Sequence, residues 1–337
     1  MSSTHPKRVA TYTLYGTFTV AIQADARVQA ALTDYFWPHC VETPRSEAAV
    51  LVCLSTDPTP AQKSIEGPGE EITLYDAPDG HVADYNTGYV WHVGDHRVVL
   101  NSHTATYFTI EAHRVAVRNP RREAGVVDLC RVIKQLAATH FEAQGRCVLH
   151  AAAVEYDGQA VLFVGSKGSG KTTLMRAALD AGARFVTNDR VFLDAALAPW
   201  RAMGWSDPMR LVNPSGGKKT LVPLHSYFGG DEANVCRDDV EVGLVVFPEV
   251  TEEALEVSVN SMDPGWALEL INRQILPRRQ RWLGIEPVDA ARGICSPSCD
   301  FVAVRARYSD AELAAANALS ELREPAAFST HRIGARR

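Results

Sequence analysis

The chain has 337 residues, of which 46% are apolar and 22% are charged, and its formal net charge is −6. This length allows two domains of ordinary size, and the composition is that of a globular protein with a substantial core. The acidic balance argues against a dedicated nucleic-acid-binding protein, because contact with phosphates requires a basic face. No stretch approaches the roughly 18 apolar residues of a membrane span, and the seven cysteines are scattered. We therefore expect a cytoplasmic protein with reduced thiols that binds neither nucleic acid nor membrane.

The N-terminal part, residues 1–145, has the pattern of a small α+β domain with short strands and few helices. Apolar residues alternate from Tyr12 to Ile22 and predict a strand-turn-strand unit, and those from Val28 to Phe36 have helical spacing. Further strands are predicted at 49–54, 89–93, 97–101, 106–110 and 113–118. A helix is predicted from Val126 to about residue 143, ended by Gly145. We interpret this part as an accessory or substrate-recognition domain.

The second part, residues 146–330, begins with a predicted hairpin. Two apolar runs, 152–156 and 160–164, flank Asp157-Gly158, a dipeptide typical of a tight turn between paired strands. His150 is then expected at the start of the strand that pairs with the second run. A histidine near a strand start is more often structural than functional, so both roles stay open.

The segment Gly165-Ser166-Lys167-Gly168-Ser169-Gly170-Lys171-Thr172 matches the P-loop pattern. It lies between the predicted strand at 160–164 and a predicted helix at 172–181, as the mechanism requires. Glycines let the loop turn its N–H groups toward phosphate oxygens, and the helix N-terminus adds further donors. We expect Lys171 to reach the β- and γ-phosphates and Thr172 to ligate Mg²⁺. The predicted nucleotide-binding residues are Gly165, Ser166, Lys167, Gly168, Ser169, Gly170, Lys171, Thr172 and Thr173.

A second polar segment, Thr187-Asn188-Asp189-Arg190, follows the P-loop helix and a short apolar run. We expect the strand after the helix to run beside the P-loop strand and to bring Asp189 to the phosphates. A carboxylate there can hold Mg²⁺ directly or through water, or accept a proton from an attacking hydroxyl. The alternative is a turn residue with an exposed carboxylate.

The remaining sequence predicts fewer regular elements. Residues 204–231 are rich in glycine and proline and predict loops, in which Arg210, Lys218 and Lys219 are candidates to cover the γ-phosphate. A buried strand is predicted at 242–247 and a helix at 266–275. Ser309-Asp310-Ala311-Glu312 fits a capping box that opens a helix to about Leu322.

The chain has, in this order, a His-Ala strand, a glycine hairpin, a P-loop, a short helix and an Asp-Arg-Val strand. This order resembles the catalytic domain of HPr kinase/phosphorylase, over about residues 146–194. That domain is related in fold to phosphoenolpyruvate carboxykinase, so the resemblance implies an α/β P-loop fold with ATP and Mg²⁺ as cofactors. It also implies transfer of the γ-phosphoryl group to a serine or similar hydroxyl, with His150 close to the acceptor. The family's Asp-Asp-Arg sequence begins with its proton acceptor, whereas this chain has Asn188 there and Asp189 at the second position.

Because the glycine-rich signature of true HPr kinases is missing, the HPr protein is not the predicted substrate. The arrangement is more similar to divergent relatives such as lasso-peptide kinases, which implies a peptide serine or a small metabolite as acceptor in a bacterial biosynthetic or modification pathway. The predicted catalytic residues are Asp189, His150 and Lys171, and the predicted Mg²⁺ ligands are Thr172 and Asp189. Relatives with this domain assemble as multimers, which is compatible with a homo-oligomer.

Two other functions stay open. A small-molecule kinase of the shikimate- or gluconate-kinase type also has an Asp shortly after the P-loop helix. A non-catalytic, nucleotide-responsive binding module is favoured by Asn188, because an amide cannot accept a proton.

Overall fold

The structure is a computed structural model that describes residues 7–44, 48–74, 87–196, 198–205, 207–212, 219–251, 257–276 and 301–323, without the side chains of Arg210, Val212 and Lys219. Within these ranges the chain forms two compact units, one up to His140 and one from Phe141 onward. Each unit contains a large β-sheet with helices, so the chain is a mixed α/β protein. None of the helices in these ranges combines the length and the apolar character needed to cross a membrane.

The first unit consists of a mainly antiparallel sheet and three helices. Its strands are β1 (Arg8–Leu14), β2 (Phe18–Ala24), β3 (Cys40–Thr43), β4 (Val50–Ser55), β5 (Glu70–Thr73), β6 (Thr87–Val93), β7 (His96–Asn101), β8 (Thr106–Glu111) and β9 (Arg114–Arg118). Its helices are α1 (Ala26–Tyr35), α2 (Thr59–Ser64) and α3 (Arg122–Ala143), the last of which continues into the second unit. The strands follow the order β3-β1-β2-β4-β9-β8-β7-β6-β5. The strands and the two long helices predicted for this part are confirmed.

Local sequence explains these elements. Buried and half-exposed residues alternate along β2, as expected for a strand with one face on the core. Asp25 begins α1, because its Oδ1 accepts hydrogen bonds from the N–H groups of Arg27 and Val28 at 3.0 and 3.2 Å. Gly145, at a φ of +90°, follows the end of α3 as predicted.

The second unit contains the segment Gly165–Thr172, which matches the P-loop pattern and is called the P-loop below. Its strands are β10 (Cys147–Tyr156), β11 (Gln159–Val164), β12 (Arg184–Thr187), β13 (Arg190–Asp194), β14 (Arg201–Gly204), β15 (Met209–Val212), β16 (Lys219–Val222), β17 (Val240–Val250), β18 (Ser258–Ser261) and β19 (Val302–Tyr308). Its helices are α4 (Lys171–Asp180), α5 (Leu224–Tyr227), α6 (Pro264–Asn272) and α7 (Ala311–Arg323). The predicted strands at 160–164 and 242–247 and the predicted helices at 172–181, 266–275 and 311–322 are confirmed within a few residues.

The main sheet of this unit places the P-loop at the carboxyl ends of its parallel strands. Its strand order is β11-β10-β13-β14-β17-β19-β18, with β12 paired to β10 and an additional pairing of β11 with β17. β17 runs parallel to β11, and β19 runs parallel to β17. The carboxyl ends of these three strands therefore lie at the same edge, where α/β proteins generally bind ligands. One face of the sheet buries an apolar core that includes Leu162, Trp200 and Val245.

Two expectations about strands are wrong. β12 pairs with β10 and does not run beside β11, because β10 and β17 already occupy both edges of β11. His150 is the fourth residue of β10, not its first, and lies in the half that pairs with β13. Within the loop-rich segment 204–231, β15 and β16 also form an antiparallel pair.

The start of α7 also differs from the expected capping box. The carboxylate of Asp310, not the hydroxyl of Ser309, accepts hydrogen bonds from the N–H groups of Glu312 and Leu313 at 3.0 and 3.1 Å. The helix begins one residue later than the box predicts, since β19 extends to Tyr308 and an aspartate is an equally good N-cap.

Candidate functional site

The loop between β11 and α4 has a backbone that only glycine adopts readily. Gly168 and Gly170 have φ angles of +89° and +100°, in the left-handed region. Gly170 is the N-cap of α4 and has no side chain to accept hydrogen bonds from the first-turn N–H groups. These N–H groups, together with the helix dipole, therefore favour an anion at this position.

The loop is open to solvent. Ser166, Lys167, Gly168 and Thr173 are exposed, and Thr172 is half-buried. Ser169 directs a buried Oγ into the loop, where it forms no hydrogen bond with any described residue. An unused buried hydroxyl fits a ligand that supplies the missing partner, such as a phosphate oxygen.

Lys171 is held by the loop itself. Its Nζ donates hydrogen bonds to the carbonyl oxygens of Gly165 and Ser166 at 2.6 and 2.9 Å, and the residue is only 8% exposed. Burial lowers the pKa of Lys171 from its ordinary value, whereas the negative charge of Asp189 acts in the opposite direction. The carboxylate is therefore close enough to the lysine for their charges to interact.

Asp189 lies between β12 and β13, next to His150. Its Oδ1 is 3.4 Å from the Nδ1 of His150, and its Oδ2 is 3.6 Å from the Nε of Arg190. The side chain of Asp189 is 17% exposed and that of His150 13% exposed. Pairing of β10 with β13 places His150 opposite Arg190, so the sheet register brings these groups together. The sequence-predicted residues Lys171, Asp189 and His150 thus lie in one region.

Asn188 has a different environment. It is 6% exposed, and its Nδ2 donates a hydrogen bond to the carbonyl oxygen of Pro208 at 2.9 Å. This contact ties the turn between β12 and β13 to the segment before β15. The amide therefore has a structural contact, while the neighbouring carboxylate of Asp189 lies next to His150 and Arg190.

Two residues at the ends of β17 and β19 contact the P-loop and were not predicted from the sequence. The hydroxyl of Tyr308 donates a hydrogen bond to the carbonyl oxygen of Gly170 at 3.0 Å. A Cβ atom at Gly170 would collide with this hydroxyl and would lie 2.7 Å from the Cγ2 of Val250. Burial raises the pKa of Tyr308 to about 12, so the hydroxyl remains a donor at neutral pH.

The donors for a metal ion fit Mg²⁺ bound together with nucleotide. No group of three or more His, Cys, Asp or Glu residues in the described ranges forms a metal cage. Mg²⁺ usually takes one or two protein oxygens and completes its shell with water and phosphate. The hydroxyl of Thr172 and the carboxylate of Asp189 are donors of this kind. Of the basic residues expected to cover the phosphates, Lys218 and the side chains of Arg210 and Lys219 lie outside the described residues.

No protein-family model matches the chain, and no curated protein matches it. Among solved structures, the chain is similar to the HPr(Ser) kinase/phosphatase from Coxiella burnetii, with 14% sequence identity and a TM-score of 0.30. The match covers 53% of this chain and 95% of that chain.

Proposed function

We propose that the chain is a kinase that transfers the γ-phosphoryl group of ATP to an alcohol hydroxyl. One observation carries this proposal. An open P-loop holds a buried lysine on its own carbonyl oxygens, and the charge of a partly buried carboxylate, Asp189, which lies 3.4 Å from His150, acts on that lysine. Phosphoryl transfer needs little beyond a held triphosphate, positive charge on the phosphates and a positioned group near the attacking hydroxyl.

Nucleotide binding uses the loop from Gly165 to Thr173. The N–H groups of the loop and of the first turn of α4 hold the phosphates, and the Oγ of Ser169 donates to one phosphate oxygen. The ammonium of Lys171 exchanges its two carbonyl partners for oxygens of the β- and γ-phosphates. Thr172 and Asp189 would hold Mg²⁺, which neutralises phosphate charge when bound.

Asp189 is the proton acceptor. The acceptor hydroxyl oxygen forms a bond to the γ-phosphorus while the bond to the bridging oxygen breaks, and ADP takes that electron pair. The hydroxyl proton passes to the carboxylate of Asp189, a step that typically contributes about 10²–10⁴-fold. When protonated, His150 attracts this carboxylate across 3.4 Å and holds it near the phosphates. Asn188 takes no part, because its amide donates to Pro208.

The acceptor is a serine of a peptide or the hydroxyl of a small metabolite. The active form is compatible with a homo-oligomer.

Two alternative functions remain as outcomes of the test. A kinase of the shikimate-kinase type would use the same loop and carboxylate with a small-molecule acceptor only. A nucleotide-responsive binding module would bind ATP without transfer.

The experiment supplies γ-labelled ATP and Mg²⁺ with separate libraries of serine peptides and hydroxylated metabolites. We expect label on an acceptor with the wild type, and none with Lys171→Ala because nucleotide binding is lost. Asp189→Asn should retain ATP binding and lose at least about 100-fold in transfer rate. Asp194→Asn, at the other end of β13, is the matched control and should transfer at the wild-type rate.

Three results contradict the proposal. Transfer by Lys171→Ala would remove the P-loop from the mechanism. Undiminished transfer by Asp189→Asn would remove the proton acceptor. ATP binding by the wild type without transfer to either library would favour the binding module.

A further inference from the structure

The two sides of the P-loop strand carry different chemistry. β11 has β10 as its antiparallel neighbour on one side and β17 as its parallel neighbour on the other. The charged residues assigned to the γ-phosphate belong to the first side, because His150 lies in β10 and Asp189 follows β12, which pairs with β10. On the second side, Glu249 of β17 and Arg307 of β19 form an exposed ion pair, with Oε1 and Nε 3.9 Å apart. The second side ends in Val250, the last residue of β17, and Tyr308, the last residue of β19.

On this second side, one exposed apolar side chain lies directly against the loop. The Cγ2 of Val250 and the Cζ of Tyr308 lie 2.7 and 3.1 Å from the position that a Cβ of Gly170 would take. Tyr308 is 2% exposed, but Val250 is 54% exposed and is among the large apolar side chains that face solvent. An apolar group exposed beside a phosphate-binding turn gains free energy when a ligand covers it.

We propose that the nucleoside of the bound triphosphate lies on the carboxyl end of β17, against the side chain of Val250. This inference rests on the proposed function, because that function places the γ-phosphate on the side of Asp189. In a nucleoside triphosphate the sugar and base are attached through the α-phosphate, at the end opposite to the γ-phosphate. With the γ-phosphate on the β10 side, the nucleoside extends toward β17 and β19.

The contact has a consequence for selectivity. Val250 offers methyl groups and no hydrogen-bonding group, so it recognises the area of a base and not its polar pattern. A purine covers more of this surface than a pyrimidine and gains more from it. Val250 therefore favours purine nucleotides over pyrimidine nucleotides.

The test compares two ligands that share the phosphates and differ in the nucleoside: ATP and inorganic tripolyphosphate, each with Mg²⁺. The variant Val250→Asn replaces the apolar surface with a neutral polar side chain, so the charge near the phosphates is unchanged. The matched control is Val41→Asn, since Val41 is a valine in β3 that is 47% exposed. Calorimetric titration measures both affinities for the wild type and for each variant.

We expect Val250→Asn to raise the Kd for ATP about three- to tenfold and to leave the Kd for tripolyphosphate unchanged. The ratio of the affinities for ATP and CTP should fall toward one in this variant, and Val41→Asn should match the wild type in every titration. Unchanged ATP affinity of Val250→Asn, or equal weakening of ATP and tripolyphosphate, overturns the inference. A wild type that binds ATP no more tightly than tripolyphosphate also overturns it.

The proposed function can fail separately. If the wild type binds ATP but transfers no phosphoryl group to either acceptor library, the kinase proposal fails. The two titrations then still show whether the nucleoside contacts Val250.

Discussion

The hydrogen bond from Tyr308 to the P-loop predicts the effect of a single hydroxyl on stability. Tyr308→Phe removes that hydroxyl and keeps the ring, which is 2% exposed. The carbonyl oxygen of Gly170 then loses the donor at 3.0 Å but keeps the N–H of Leu174, also at 3.0 Å. Because one partner remains, we expect a loss near the average for one buried hydrogen bond, about 1 kcal/mol at pH 8.

The same hydroxyl gives the prediction a dependence on pH. Burial raises the pKa of Tyr308 from 10.0 to about 12, so the unfolded chain loses this proton at lower pH than the folded chain. The contribution of the protonated hydroxyl is complete below pH 10 and is lost as the pH rises toward 12. Two pKa units correspond to about 3 kcal/mol at most, and the phenylalanine variant has no such titration. The wild type should therefore be the more stable protein at pH 8, and the difference should vanish near pH 11.

Urea unfolding of both proteins at pH 8, 9.5 and 11, followed by circular dichroism, measures this difference. Other buried groups that titrate in this range, such as the thiol of Cys130, are common to both proteins and cancel. ATP affinity at pH 8 should fall several-fold in the variant, because the hydroxyl fixes the turn that holds the phosphates. Equal stability at pH 8 together with parallel stability curves up to pH 11 would refute the reasoning.

Three further substitutions test the architecture. Asn188→Asp should destabilise the fold by about 2–4 kcal/mol in urea unfolding, since a buried carboxylate would face the carbonyl oxygen of Pro208; faster phosphotransfer would contradict the role given to Asp189. Gly204→Ala should destabilise the fold by about 3 kcal/mol or more and lower the melting temperature, because the added Cβ would collide with the backbone oxygen of Val186. An unchanged melting temperature would contradict this close approach. Asp128→Ala should lower the free energy of unfolding by about 3–5 kcal/mol, because this fully buried carboxylate accepts hydrogen bonds from Thr104, Thr106 and Arg131 at 2.6, 2.5 and 2.9 Å. In the same thermal unfolding experiments, substitution of the exposed Glu123 in the same helix by alanine should have no effect.

Local patterns were sufficient for most individual elements. The apolar run at 160–164 and the turn Asp157-Gly158 predicted β11 and its hairpin with β10, because these signals depend only on neighbouring residues. The helical spacing of residues 126–136 predicted α3 for the same reason. Pairing between distant strands has no such signal. The sequence therefore could not show that β17 occupies the second edge of β11, which excludes β12 from that position.

The same limit explains which site residues were found. The P-loop residues and Lys171 are contiguous and form a recognisable pattern, so they could be located from the sequence. Tyr308 is 138 residues from Gly170 and ends an ordinary strand, so nothing near it in the chain points to the loop. Val250 reaches the loop only because β17 runs parallel to β11. Contacts of this kind depend on strand order, which local patterns do not contain.

The choice between Asn188 and Asp189 depends on the backbone between β12 and β13. Both residues lie in the bend between Thr187, the last residue of β12, and Arg190, the first residue of β13, and their side chains have different partners. Pairing of His150 with Arg190 fixes the register of β13 and brings Asp189 next to His150, whereas the amide of Asn188 donates to Pro208. Alignment with the family's Asp-Asp-Arg sequence would assign the proton acceptor to position 188, where no acid is present. In the proposed function Asp189 takes that role instead, so an asparagine at position 188 is compatible with the proposed kinase.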